Sequence, residues 1–440
     1  MPFSRNFAAA ILLASTVAPV LVLGGATLVS PASIGAAFAL TQDVALDDIK
    51  VDFPAKKDGK GSMTIKSATF AGTNLSKEEV AKFFNLATTP EEARALAAKM
   101  TAAKVSIPEI AIAFESMDGK DANKGALTLR NFEALKVDQG KSAKLSMGGG
   151  DILVKANDVD FVKGSIGAYE IADADFSGLL NGLKQGDLAG AMVKYSKATF
   201  QGADFTVVDK ETPAGAPGGN LMHFKLGPGS ATASFDGDLF RKTQGEVQSL
   251  LIEFPKASKA GQGLAAFGYE KLDIGFKVNM SYDPATKKIA VDDYTITGVN
   301  AGALTIKAQL GSIDPAAFTG DKDAKVKALM GGDISSVSLR FVNNGLAEKG
   351  LAFAGAMQKK SPDALKGELS AMAKGFLPNV LGPDAGKKLG DAIAAFLASP
   401  KSLAIDVKAK GAPLKFGDLA NVKGPQDVLP KLDIGAVANQ

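Results

Sequence analysis

From Leu272 to Tyr282 large apolar residues alternate without a break with small or polar ones. Leu272, Ile274, Phe276, Val278, Met280 and Tyr282 fall on one side of an extended chain, and Asp273, Gly275, Lys277, Asn279 and Ser281 on the other. Successive strand residues point to opposite faces, so this pattern predicts a strand with one buried and one wet face. The next residues, Asp283-Pro284-Ala285-Thr286-Lys287-Lys288, carry turn chemistry. Ile289 and Val291 then resume the alternation, which predicts an antiparallel hairpin. At Asp292-Asp293 the phase slips, because Tyr294 and Ile296 become the large residues, and an inserted bulge residue accounts for that.

The same signature recurs in Leu304/Ile306/Ala308/Leu310, Val337/Leu339/Phe341 and Leu403/Ile405/Val407/Ala409. Shorter strands are expected around Leu127/Leu129, Leu145/Met147 and Ile152/Val154. Half-buried alternation argues for antiparallel sheet. Helices are expected between strands. Ser76-Lys77-Glu78-Glu79 and Thr89-Pro90-Glu91-Glu92 are capping boxes, and the second helix is expected to run to about Ala103. Further helices are expected after Ser361-Pro362-Asp363, over Ala385–Ala398, and more weakly over Gly345–Met357 and Phe176–Tyr195. The expected class is α+β and β-rich, with long, antiparallel, curved sheets and helices inserted between strands. The Pro- and Gly-rich run Thr212–Gly219 is a linker or a hairpin loop, with the loop preferred. It separates a region 40–211, with helices near 77–103, from a region 220–440, with helices near 345–398.

An internal echo pairs Ala68-Thr69-Phe70-Ala71-Gly72 with Ala198-Thr199-Phe200-Gln201-Gly202, and more loosely with Ala174-Asp175-Phe176-Ser177-Gly178. It predicts a repeated strand–turn unit in which glycine allows the turn. The irregular spacing argues against a strict solenoid.

The N-terminus predicts export. Arg5 precedes an apolar run from Phe7 to Val29, and Ala37-Phe38-Ala39 reads as a cleavage site, so residues 1–39 are expected to be a signal peptide and the destination a periplasm. An uncleaved inner-membrane anchor through residues 7–29 is the alternative, since about 20 apolar residues cross a bilayer.

Composition narrows the chemistry. Without cysteine the chain cannot carry a lipoprotein anchor, a disulfide, a thiol nucleophile or a thiolate metal site. One histidine, His223, excludes a two-histidine metal motif within the chain. The absence of tryptophan weighs against carbohydrate stacking platforms. Net charge is +3, and +2 without residues 1–39, which leaves no basic field for nucleic acid. Only five of the 50 basic residues are arginine, the residue for bidentate phosphate capture. No cofactor is expected.

His223 is expected on the wet side of Leu221–Leu226, opposite Met222 and Phe224. The acid pairs Asp158/Asp160, Asp173/Asp175, Asp236/Asp238, Asp292/Asp293 and Asp321/Asp323 read as solvated turn acids; none has calcium-loop spacing. A hydrolase using His223 or a paired Asp ranks third among the functional readings. The first is a non-catalytic protein that binds or shields lipid along an apolar sheet face, with Leu272, Ile274, Phe276, Val278 and Met280 as the candidate contacts, or that supports envelope assembly. The second is a structural or adhesive protein with a filled β core.

The strand units Ser67-Ala68-Thr69-Phe70-Ala71-Gly72 and Asp293-Tyr294-Thr295-Ile296-Thr297-Gly298 resemble AsmA-like and YdgA-like envelope proteins. Over about the last 180 residues the chain resembles exported alphaproteobacterial proteins of unassigned role more closely. Leu339–Leu346, Ser361–Leu365, Phe396–Leu403 and Leu432–Asn439 carry that likeness. It implies an envelope location, with lipid, a membrane surface or an envelope protein as partner, and brings no catalytic residue with it.

Overall fold

The computed structural model describes residues 41–55, 59–118, 121–176, 193–319, 322–422, 424 and 427–440. The signal segment and most of the helix expected over Phe176–Tyr195 lie outside them. The protein is α+β and β-rich, and its sheet is antiparallel. The chain divides into two compact units. Unit 1 takes the described residues up to Gly215 with Gly219–Gly237; unit 2 takes Ala216–Gly218 with Asp238–Gln440. The boundary therefore falls near Gly237. The Pro- and Gly-rich run lies in the loop between two strands paired from Val208↔Leu221 onward.

Unit 1 contains strands β1 (Gln42–Ala55), β2 (Gly59–Thr73), β3 (Thr101–Asp118), β4 (Asp121–Asp138), β5 (Lys141–Met147), β6 (Gly149–Ala156), β7 (Val159–Ile166), β8 (Tyr169–Asp175), β9 (Lys197–Phe200), β10 (Ala203–Val208), β11 (Leu221–Leu226) and β12 (Gly229–Asp236). The first four form a meander. Beyond β4 each long strand is broken once. β4 pairs with β5 along one half and β6 along the other. β8 and β9 then follow β5, while β7 and β10 follow β6. The short strand expected around Leu127 is thus part of the 18-residue β4, while those expected around Leu145 and Ile152 are the seven- and eight-residue β5 and β6.

The breaks lie at Gly148, Gly167–Ala168, Gln201–Gly202 and Gly227–Pro228, and their register continues through Asn131 in β4 and Pro108 in β3. Backbone chemistry explains the line. Asn131 and Gly202 have φ of 53° and 111°, and Pro108 has no N–H for the ladder. Gly148 N–H donates to Arg130 O at 2.8 Å and Gln201 N–H to Ala168 O at 2.8 Å, so the ladder is stitched across the break. The echoed glycines Gly72 and Gly202 both have positive φ, but Gly72 sits inside β2 and Gly202 between two collinear strands. Glycine here breaks a strand without reversing it, which corrects the expected strand–turn unit. Gly178 of the looser echo lies outside the described residues.

Helices α1 (Lys77–Lys82) and α2 (Pro90–Lys99) cover one face of unit 1. Both capping boxes form: Ser76 Oγ accepts from Glu79 N–H and Thr89 Oγ1 from Glu92 N–H, each at 3.2 Å. Val80 and Leu96 join Ile65, Ala68, Phe70 and Val105 in the core. The second helix stops at Lys99 rather than near Ala103, because Thr101 already pairs with Asp138 in the β3–β4 ladder.

Unit 2 is a second antiparallel meander of β13 (Leu239–Glu253), β14 (Leu272–Asp283), β15 (Lys288–Gly298), β16 (Gly302–Gly311), β17 (Asp333–Asn343), β18 (Ser402–Ala409), the two-residue β19 (Leu414–Lys415) and β20 (Leu432–Ala438). The anticipated slip is present. Asn279 faces Asp293 but Met280 faces Val291, which leaves Asp292 as the extra residue. Helices fill four connections: α3 (Lys259–Ala266); α4 (Ala316–Thr319) and α5 (Lys322–Met330); α6 (Leu346–Gln358), α7 (Pro362–Leu381) and α8 (Pro383–Ala398); and the four-residue α9 (Phe416–Leu419). α7 and α8 pack as a hairpin at glycines. A Cβ on Gly386 would meet Pro378 atoms at 2.4 Å, and one on Gly390 would meet Ala373 O at 3.0 Å.

Candidate functional site

The register of unit 2 aligns large residues from six strands. Val278, Tyr294, Ile306, Leu339, Ile405 and Ala436 lie directly opposite one another from β14 to β20. A parallel row on the same face holds Phe276, Ile296, Leu304, Phe341, Leu403 and Ala438, and another holds Met280, Val291, Ala308, Val337, Val407 and Ile434. The bulge at Asp292 keeps β15 in phase. Without it, Tyr294 and Ile296 would turn to the other face, since a one-residue slip inverts every side chain.

Helical segments close this face at both strand ends. The Phe396 ring of α8 sits edge-on to Phe341 at 6.0 Å. At the opposite end Phe318 of α4 packs on Tyr282 at 4.7 Å and on Phe240 at 5.7 Å. Tyr282 is buried and its hydroxyl donates to Ile313 O at 2.8 Å; burial, followed by the nearby Asp314, pushes its phenol pKa up. Phe276, Val278 and Met280 run from one closure toward the other, Ile274 and Leu272 continue beyond the Phe341 row, and all five are half-buried, while Tyr294 is 40% exposed. The five candidate contacts therefore sit on one face that is shut at its ends and open to solvent in its middle.

The wet face of the same strands is ionic. Lys277 Nζ lies 2.8 Å from Asp293 Oδ2, and the Lys277 ammonium and the Thr295 hydroxyl together hold the Asp293 carboxyl below its ordinary pKa. Asp283 is lowered by Thr286, and Asp314 by Lys287. A carboxyl with a folded pKa below its unfolded one contributes stability that is complete above the unfolded value and lost as pH falls through the folded value. Melting temperature should therefore hold down to about pH 4 and drop below it. Asp293→Asn should lower the plateau and shallow that drop. A melting temperature that rose on acidification would contradict the assignment.

Unit 1 carries a different surface. Opposite its core face, Thr69, Ser106, Glu133, Ser146, Glu170, Thr199 and Ser230 form one cross-strand row. Where this row meets the line of ladder breaks there is a groove of about 480 Å³.

His223 on β11 has an acid that sequence reasoning missed. Its Nε2 lies 2.7 Å from Asp204 Oδ1 on β10, so the two could share a proton. Ser165 of β7 pairs with Asp204 on the side of β10 away from β11. The acid thus lies between hydroxyl and imidazole, the reverse of a serine–histidine–acid relay. The other acid pairs are engaged singly: Asp158 with Lys124, Asp160 with Lys155, Asp173 with Ser196 and Asp175 with Lys194. Asp236 ends β12, and Asp321 lies outside the described residues. Among the described residues no three His, Asp or Glu side chains are grouped to hold a metal ion, and no helix is long and apolar enough to cross a membrane.

No curated protein matches the chain. Over residues 295–439, about its C-terminal third and including β16 to β20, the chain matches the model of a family described as "Uncharacterized protein".

Proposed function

We propose that this chain is an exported cell-envelope protein that binds an amphiphile, with the acyl portion lying on the apolar face of unit 2 and no chemistry performed on it. The observation that carries this reading is the aligned row Val278–Tyr294–Ile306–Leu339, half-open between closures at Tyr282 and Phe341. Each buried methylene contributes about 0.8 kcal/mol, so a modest length of acyl chain supplies useful affinity without any polar contact. The N-terminal export signature and the resemblance to AsmA-like, YdgA-like and alphaproteobacterial exported proteins agree with a periplasmic setting and a lipid or membrane partner. The same reading extends to support of envelope assembly.

Native mass spectrometry of gently extracted protein tests it. The expected spectrum shows a lipid-sized adduct that organic denaturation removes, and that is depleted in Tyr294→Asp. A clean apo mass from every mild extraction would refute the proposal.

A second reading, a structural or adhesive protein with a filled core, is favoured by a separate observation. Met372 and Phe376, one turn apart on α7, are 61% and 60% exposed. A partner protein on that stripe would make Met372→Ser with Phe376→Ser lose the partner while leaving any lipid adduct intact.

A further inference from the structure

The groove in unit 1 has a lining unlike the apolar face of unit 2. Its floor is the polar row: Glu133 of β4, Ser146 of β5 and Glu170 of β8 stand opposite one another on adjacent strands. The line of ladder breaks brings in two amides. Asn131 stays within β4 at a φ of 53°, and its side chain lies over Gly148, where an added Cβ would meet Asn131 Nδ2 at 3.0 Å. Gln201 precedes Gly202 and also lines the groove, with its Cβ 3.1 Å from where a Cβ on Gly167 would lie. Tyr169 lines the groove as a neutral phenol, its pKa pushed up by burial.

The charge state of this lining selects the ligand. Glu133 is paired with Lys104 at 2.5 Å and Glu170 with Lys144 at 2.6 Å. Each carboxylate thus has a lysine counter-charge within the sheet, which weakens the attraction for a metal ion or polyamine. A free anion would still face two carboxylates at short range. An acyl chain would strip water from amides, hydroxyls and carboxylates and return nothing, at a cost of about 1–3 kcal/mol for each unsatisfied group. Acceptor capacity nevertheless remains, because a carboxylate offers about four lone-pair sites and its lysine occupies only part of them. The amides and hydroxyls both donate and accept. The partner that satisfies such a mixed, charge-compensated lining is an uncharged chain of hydroxyls. From Ser106 to Thr199 the polar row crosses five strands, roughly 19 Å at the usual strand spacing. That is a track for a chain and longer than a single ring needs.

We infer that this groove binds a neutral glycan segment, whose hydroxyls donate to the Glu133 and Glu170 carboxylates and exchange hydrogen bonds with the Asn131 and Gln201 amides, without tryptophan stacking. Calorimetric titration of the full protein with cellohexaose, hexagalacturonate and spermine tests it. Saturable binding of cellohexaose is expected, at least tenfold tighter than either charged probe. Glu133→Gln with Glu170→Gln should weaken it tenfold or more. Gln201→Leu, which leaves the ion pairs in place, should weaken it several-fold while the melting temperature stays within a few degrees. No saturable cellohexaose binding, a preference for spermine or hexagalacturonate, or equal affinity in the folded variants would overturn the inference. Lipid binding on unit 2 should be unaffected in these variants, so the two proposals fail separately.

Discussion

Asp175→Ala should lose about 3–5 kcal/mol of stability. Asp175 closes β8 and Lys194 returns the chain from residues 177–192, and the two exchange backbone hydrogen bonds of 2.8 and 3.0 Å. Their side chains are 11% and 9% exposed, with Nζ and Oδ2 separated by 3.5 Å, and the ammonium also donates to Gly237 O. Tyr195, 1% exposed, is packed directly beside them in sequence. Removing the carboxylate takes a counter-charge away from a buried ammonium, where little water can replace it. The charge-free pair Asp175→Leu with Lys194→Met should recover most of that loss, because a buried ion pair gains little over an apolar pair of similar volume. Chemical denaturation of the three proteins measures both effects. A single variant as stable as the parent would show that the pair is not buried in solution.

Gly202→Ala should cost about 2–4 kcal/mol, through φ strain and overlap together. Gly202 has φ of 111°, which L side chains rarely adopt, and a Cβ there would meet Leu226 O at 2.4 Å. Leu226 is the register partner of Ala203, so relief would require β11 to move off β10. Gly215→Ala is the control: nothing lies within 4 Å of a Cβ there, and the change should be neutral or slightly stabilising. Equal melting temperatures for the two variants would mean that the line of ladder breaks is not fixed by glycine geometry.

What the sequence made legible follows from locality. β14 reads directly because only one of its faces meets the apolar row, and the slip at Asp292 reads because the phase error lies within five residues. The capping boxes at Ser76 and Thr89 read because both partners lie within one turn. β3 and β4 did not read at their full 18 residues. Pro108 and Asn131 look like strand ends, yet the ladder continues past them because neighbouring strands supply partners on both sides. The helix expected to reach Ala103 stopped early for a related reason: the β3–β4 pairing overrode local helical preference. The His223–Asp204 contact and the polar groove were invisible for want of register. Glu133, Ser146, Glu170 and Thr199 become neighbours only when four strands are laid side by side. The five apolar contacts on β14 were nameable, whereas their continuation through Tyr294, Ile306 and Leu339 required the same register.

The position of a bound acyl chain on unit 2 is the property that decides the proposed function. Photolabelling the full protein with a diazirine fatty acid, followed by peptide mapping, reads that position directly. Labels concentrated on Val278, Tyr294, Ile306 and Leu339, competed by unlabelled fatty acid and lost in Tyr294→Asp, are the predicted result. Labels confined to Met357, Met372 and Phe376, or scattered without competition, would contradict it.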